Sequence, residues 1–110
     1  MERISVVVPA YNLAPYLGKS LDSLLEQTYP ELEIVVVDDG SRDGTPRVIR
    51  EFMDKHSNIR GIFQENGGVT SARLAGAAAA TGDWVGFMDG DDLVEPTMYA
   101  RLLENAKSTG

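Results

Sequence analysis

The chain contains no cysteine, so disulfides, thiolate nucleophiles and cysteine-ligated zinc are excluded together. Positive charge is scarce as well. Ten Lys and Arg stand against 17 Asp and Glu, a formal charge of −7, which argues against nucleic acid or an anionic lipid surface as partner because no basic stripe exists to neutralise phosphates. Any anionic ligand must therefore be met by a metal ion or by local donors. Long apolar runs are also missing: "MERISVVVPAY" carries one short run stopped by Pro9, too short for a signal-segment core or a membrane span. Glycine is absent from "PAYNLAP", where a dinucleotide-binding unit would place G-x-G-x-x-G after its first strand, and a nicotinamide oxidoreductase is excluded on that ground.

What is present alternates between apolar runs and amphipathic stretches. With 110 residues and 43% hydrophobic content, one domain with one core is expected, burying roughly two thirds of the unfolded surface. "ISVVVPA" at 4–10 is β-branched without polar alternation, the pattern of a strand covered on both faces, with Pro9 ending it by withdrawing a donor. Leu17, Leu21, Leu24 and Leu25 recur at helical spacing between Ala14 and Gln27, with Asn12 as cap and Pro15 in the first turn. "LEIVVVDDG" at 32–40 repeats the buried-strand pattern. A helix follows, with Thr45 as cap, Pro46 at its first position and Val48, Ile49, Phe52 and Met53 inward. A third strand is predicted from Ile59 to Gln64. After "ENGG" comes an Ala-rich helix closed by a left-handed Gly82. The fourth strand lies in "DWVGFMDGDD", with Trp84 in the core, and the fourth helix runs from Glu95 to Lys107. Four βα units in this order predict an α/β fold with a doubly wound, mostly parallel sheet and right-handed crossovers.

In such a sheet the loops at the carboxyl ends of the strands gather on one edge, where ligands bind at the reversal of strand order. Strand one ends in "PAYN", strand two in "DDGS" and strand four in "MDGDD", so Asp38, Asp39, Asp89, Asp91 and Asp92 meet on one rim. Paired carboxylates at about 4 Å repel by on the order of 1 kcal/mol in water and by more in a cleft, so a bound cation is expected among them. Oxygen ligands without His or Cys favour Mg²⁺ or Mn²⁺, which take one or two carboxylates and complete the shell with water and substrate phosphate. In Asp89-Gly90-Asp91 the side chains at i and i+2 can converge while Gly90 permits close approach.

Other residues have plainer alternatives. "DDGS" alone is an ordinary strand-to-turn signal, and the amides around Gly67 and Gly68 are a weak candidate anion site. Arg73 is the one cation able to reach the cleft, or else a solvated residue paired with an acid such as Glu65. Tyr11 stacks on a base or sugar, or packs on the first helix. His56 is expected to be a helix-end cation, and "AGAAAA" a surface for close helix-to-sheet packing.

Taken together, "ISVVVPAYN", "SLLEQTYPELE", "LEIVVVDDGSRDGT" and "ENGGVTSARLAGAAAATGDWVGFMDGDD" resemble, in order and spacing, the amino-terminal half of family 2 inverting glycosyltransferases with the GT-A fold, from about Ile4 to Tyr99. The resemblance implies transfer from a nucleotide diphosphate sugar, usually a UDP-sugar, to a saccharide or other hydroxyl acceptor. It implies that Pro9, Ala10 and Tyr11 line the nucleotide pocket, that Asp38 or preferentially Asp39 contacts the base, and that Arg73 lies near the diphosphate. Asp89 and Asp91 are the family's Asp-x-Asp pair: Asp91 is the direct ligand of Mn²⁺ or Mg²⁺, and Asp89 faces the ribose or the metal shell. The role of Asp92 stays open. Leu74 departs from the Asn that family members often carry after the Arg. The family's catalytic base and acceptor pocket lie in its carboxyl-terminal half, so a donor-binding fragment of a longer enzyme is expected, weakly if at all catalytic alone.

A receiver-type phosphoacceptor domain would carry its acid pair after the first strand and a Lys after the last, and neither is found. A non-catalytic domain keeping the fold for binding is the remaining alternative, against which the intact "DDGS" and "MDGDD" stand. Self-association is expected if the sheet lacks a covering half. The expected location is the cytoplasm, or the inner membrane face for a longer parent.

Overall fold

The computed structural model describes residues 2–109, with side chains through 107. β1 (Ile4–Ala10), β2 (Leu32–Asp39), β3 (Ile59–Gln64) and β4 (Trp84–Phe87) alternate with α1 (Ala14–Leu25), α2 (Thr45–Lys55), α3 (Val69–Ala79) and α4 (Met98–Thr109). The sheet is parallel throughout in the order β3-β2-β1-β4. β1 and β2 pair from Ile4 opposite Leu32 to Ala10 opposite Asp38, and β1 meets β4 from Ile4 opposite Trp84 to Val7 opposite Phe87. The chain thus builds outward from β1 through β2 to β3, then crosses back to place β4 on the other side of β1.

Every residue of β1 and β2 is buried, which explains why these strands lack polar alternation. Ile4, Val6 and Val8 with Ile34 and Val36 face Leu17, Leu21 and Leu24 of α1, Ile49 of α2 and Tyr99 and Leu103 of α4. Val7, Val35 and Val37 face Ala72 of α3. Among the described residues one helix, α3, covers the second face, and its small residues let it lie close: a Cβ on Gly76 would come 2.2 Å from Cγ1 of Val7. The Ala-rich tract is the packing surface that its composition predicts.

Several local expectations are corrected. Asn12 does not cap α1. It takes a left-handed φ of 51°, and the first α1 amides, those of Leu13 and Ala14, donate instead to Thr45 Oγ1 at 2.9 Å and Asp43 Oδ2 at 3.2 Å from the next loop. Thr45 is therefore the first residue of α2 and Pro46 the second, its hydroxyl serving α1. β1 continues past Pro9 to Ala10; β4 has already ended opposite Val7, so the missing donor interrupts no pairing with β4. Helix α3 stops at Ala79 with Ala80 extended. Gly82 is needed for contact, since a Cβ there would lie 2.6 Å from Ser5 Oγ. Helix α1 ends at Leu25, and α4 starts at Met98 after a turn closed by the Met98 amide on the Glu95 carbonyl.

Trp84 is also outside the core. It is 38% exposed and donates through Nε1 to Glu2 Oε2 at 3.0 Å. Among the described residues β4 pairs with β1 alone, so Val85 and Phe87 are exposed as well. Beside them an apolar cleft of about 210 Å³ lies between β4 and α4, where the buried Tyr99 hydroxyl has no hydrogen-bond partner among the described residues.

At the amino-terminal end of the sheet, Glu33 is buried with one full set of partners. Ser5 Oγ and the Thr81 amide donate to Oε1 at 2.8 and 2.9 Å, and Thr81 Oγ1 and Arg60 Nη1 reach Oε2 at 2.9 and 3.4 Å. Burial raises the carboxyl pKa, but these donors outweigh it and leave the group below its ordinary 4.5. A lowered folded-state pKa stabilises above the unfolded value and is lost as pH falls through the folded one. Glu33→Gln, which points an amide at the donors, is expected to cost about 1–3 kcal/mol at neutral pH in denaturant unfolding, with the deficit shrinking below about pH 4.5. The open β4 edge predicts concentration-dependent self-association; a monodisperse monomer at high concentration in light scattering would refute it.

Candidate functional site

The reversal of strand order falls between β1 and β4, and their carboxyl ends are tied together. The Met88 amide donates to the Val7 carbonyl at 3.0 Å and the Gly90 amide to the Pro9 carbonyl at 3.3 Å. The Asp92 amide closes a turn on the Asp89 carbonyl at 3.0 Å. Gly90 lies under this turn: a Cβ there would sit 3.0 Å from Leu13 Cδ1 and 3.1 Å from the Pro9 oxygen. Glycine at the centre of Asp-x-Asp is thus what allows the acidic turn to lie on the end of β1.

A cavity of about 430 Å³ opens over this junction. Pro9, Ala10 and Tyr11 at the end of β1 line it together with Asp89, Gly90 and Asp91 of the acidic turn and with Asp39, Asn66 and Gly68. Two of the nine expected site residues do not line it. Asp38 is buried and accepts the Ser41 amide at 3.4 Å, holding the turn after β2. Arg73 lines an adjoining cleft of about 310 Å³ that shares Asp89 and includes Asp92. Arg73 pairs with Asp89 at 3.5 Å, Nη2 to Oδ1, and not with Glu65.

The expected knot of mutually repelling acids is dispersed. Asp39 is 4% exposed, yet Gln64 Nε2 and the Gly67 amide donate to its Oδ1, both at 2.9 Å, while the Gly68 amide and Asn66 Nδ2 reach Oδ2 at 3.0 and 3.4 Å. Burial raises this carboxyl, and the Gln64, Gly67 and Gly68 donors bring it below the usual carboxylate value. The Gly67-Gly68 amides do bind an anion, and it is the chain's own. Among the described residues no group of three or more His, Asp or Glu converges to hold a metal.

Asp91 fits a hard cation in a different way. Its exposed carboxylate lines the cavity and makes no hydrogen bond or ion pair among the described residues. One or two all-oxygen ligands on a tight turn, with open space for ligand oxygens, suit Mg²⁺ or Mn²⁺. The oxygens of Asp91 and Asp89 on this turn are of the kind that suits such a cation.

A second cavity, of about 610 Å³, shares Tyr11 and Asn66 with the first and extends past Ser41 and Arg42. Its rim is a strap between loops: the Asn12 amide donates to Ser41 Oγ at 2.9 Å and the Arg42 amide to Asn12 Oδ1 at 2.8 Å. Asn66 and this strap escape sequence reading because Asn and Ser in loops carry no periodicity, and Gln64 because one polar residue at a strand end carries none; the one hint was "NGG" directly after a strand.

The Glycosyl transferase family 2 model matches residues 5–110. The chain belongs to that family. Among relatives, it is 42% identical over 104 residues to an uncharacterized glycosyltransferase, EpsJ, of Bacillus subtilis, covering 94% of this chain and 30% of EpsJ. Crystallised TarS of S. aureus in complex with UDP superposes with a TM-score of 0.87 at 31% identity, over 96% of this chain and 32% of the other. The mannosyltransferase PcManGT of Pyrobaculum calidifontis, in complex with GDP-Man and Mn²⁺, gives 0.74 at 38% identity, over 84% and 28%. The family's GT-A fold is thus the fold of this chain, which spans about a third of the length of these relatives.

Gly40 holds the turn after β2 against the next loop. Its φ is 74°, and a Cβ would lie 2.5 Å from the Asn66 amide nitrogen. Gly40→Ala is expected to lose at least about 1–2 kcal/mol from the left-handed backbone alone. Gly18→Ala in α1, where a Cβ would make an ordinary 3.8 Å contact with Phe52, should instead gain about 0.5–1 kcal/mol. Thermal denaturation of the two variants checks the contrast.

Proposed function

We propose that the cavity at the β1–β4 seam binds the diphosphate of a nucleotide sugar through a divalent cation, as the donor site of an inverting glycosyl transfer to an acceptor hydroxyl. The observation that carries this reading is the Asp91 carboxylate, unpaired among the described residues, lining one cavity with Pro9, Ala10 and Tyr11. UDP in TarS and GDP-Man with Mn²⁺ in PcManGT, both on this fold, support it; UDP is the nucleotide favoured here.

Each residue then has a defined task. Tyr11, 46% exposed, offers its ring to the nucleoside, while Pro9 and Ala10 floor the pocket and Asp38 and Asp39 stand behind. Asp91 and Asp89 would hold the cation, whose contribution when bound would be to neutralise charge on the departing diphosphate. Arg73, paired with Asp89, is the protein cation assigned to that charge. Inversion further requires a base to take the acceptor proton, and we assign it to the two thirds of the relatives' length that this chain does not span.

Calorimetric titration of UDP with and without Mn²⁺, on the wild-type chain and Asp91→Ala, tests the reading. Metal-dependent binding is expected, weakened about tenfold or more in the variant, a loss of about 1.4 kcal/mol. UDP binding indifferent to both metal and Asp91 would refute it.

A further inference from the structure

We infer that Gln27, just past the end of α1, is a positioning residue for the acidic turn: it fixes the segment that leaves the turn and so holds Asp91 at the cavity. This deepens the donor-site reading and rests on it. Gln27 belongs to "SLLEQTYPELE" at 23–33, none of whose residues line the donor cavity. Its side chain is spent elsewhere. Gln27 Nε2 donates to the Glu95 carbonyl at 2.6 Å, and the Tyr99 amide donates to Gln27 Oε1 at 3.1 Å. The same carbonyl accepts the Met98 amide at 3.1 Å, so both of its lone pairs are used. The first amides of a helix have no partner within it, and for Tyr99 of α4 the acceptor comes from 72 positions away.

Two neighbours act with it. The Val94 amide donates to Ser23 Oγ at 3.3 Å, and the Thr28 amide donates to the Pro96 carbonyl at 2.8 Å. The end of α1 thus grips the chain at Val94, Glu95, Pro96 and Tyr99. Its start serves the same turn: a Cβ on Gly90 would come 3.0 Å from Cδ1 of Leu13 and 3.3 Å from Cδ1 of Leu17. With the Gly90 amide held by the Pro9 carbonyl and the Val94 amide by Ser23, only Asp91, Asp92 and Leu93 lie between fixed points. All three are exposed, so packing of their own side chains does little to place them, and the two anchors set where the Asp91 carboxylate stands. Releasing the downstream anchor returns backbone freedom to the turn, which a cation bridging Asp91 to a ligand must then remove again.

The test compares Gln27→Met, which keeps the stem and loses both bonds, with Ser23→Ala, which releases Val94 but leaves Gln27 in place. Ile49→Val, a core change in α2, controls for lost stability. In nucleotide-free protein, amide exchange at Gly90 and Asp92 is expected to accelerate about tenfold or more in Gln27→Met, beyond any change in Ile49→Val. UDP affinity in Mn²⁺ should fall about fivefold or more, while UDP affinity with EDTA stays within about twofold of wild type. Ser23→Ala should move both readouts in the same direction, and it decides the matter if Gln27→Met does not fold. Faster exchange at Tyr99 with Gly90 and Asp92 unchanged would make Gln27 a helix cap and nothing more, which overturns the inference. An equal loss of UDP affinity with and without metal overturns it too. If the wild-type chain binds no UDP, the donor-site reading fails, while exchange at Gly90 and Asp92 still decides whether Gln27 positions the turn.

Discussion

The structure depends on β1 and β2 being covered from both sides. Their apolar side chains find helices above and below, but a strand buried along its full length also buries whatever ends it. In β2 that ending is an acidic pair, and a buried carboxylate without partners is far too costly to keep charged. The donors come from the segments that follow β2 and β3. Burial of two strands therefore dictates the knitting of the loops, and the loops are where the ligand cavity forms.

Much of this was legible in the sequence because it depends on local pattern. Valine and isoleucine runs specified β1 and β2, the Leu17, Leu21 and Leu24 spacing specified α1, and the succession of units specified a parallel sheet with its acids on one rim. What was missed depends on partners far along the chain. Asn12 is a sound cap by type, yet Thr45 and Asp43, some thirty positions away, supply the α1 donors' acceptors. Trp84 has core composition but stands on an edge strand. The expected acidic cluster failed for a related reason: carboxylates adjacent on a rim need not face one another when amides, an amide side chain and a guanidinium are nearer.

The surplus of negative charge has a matching logic. Of the acids on the rim, Asp39 and Asp38 are taken by the backbone and Asp89 by Arg73. Asp91 and Asp92 have no side-chain partner among the described residues, and of the two it is Asp91 that lines the cavity over the β1–β4 seam. A chain with few cations of its own is thereby left with a localised demand for one, instead of a diffuse repulsion along its edge.

The two banks of the cavity differ in stiffness. Tyr11 directly follows, and Asp39 ends, strands of seven and eight residues that are buried throughout, whereas the acidic turn hangs from a four-residue strand whose side chains are largely exposed. Whatever lies along the outer side of β4 would restrict that turn and would remove part of the entropy lost if the turn closes on the cation proposed for it. By reciprocity, a cation on the turn strengthens the grip of that cover by the same factor. Edge and ion site are two ends of one equilibrium, joined through four residues of backbone.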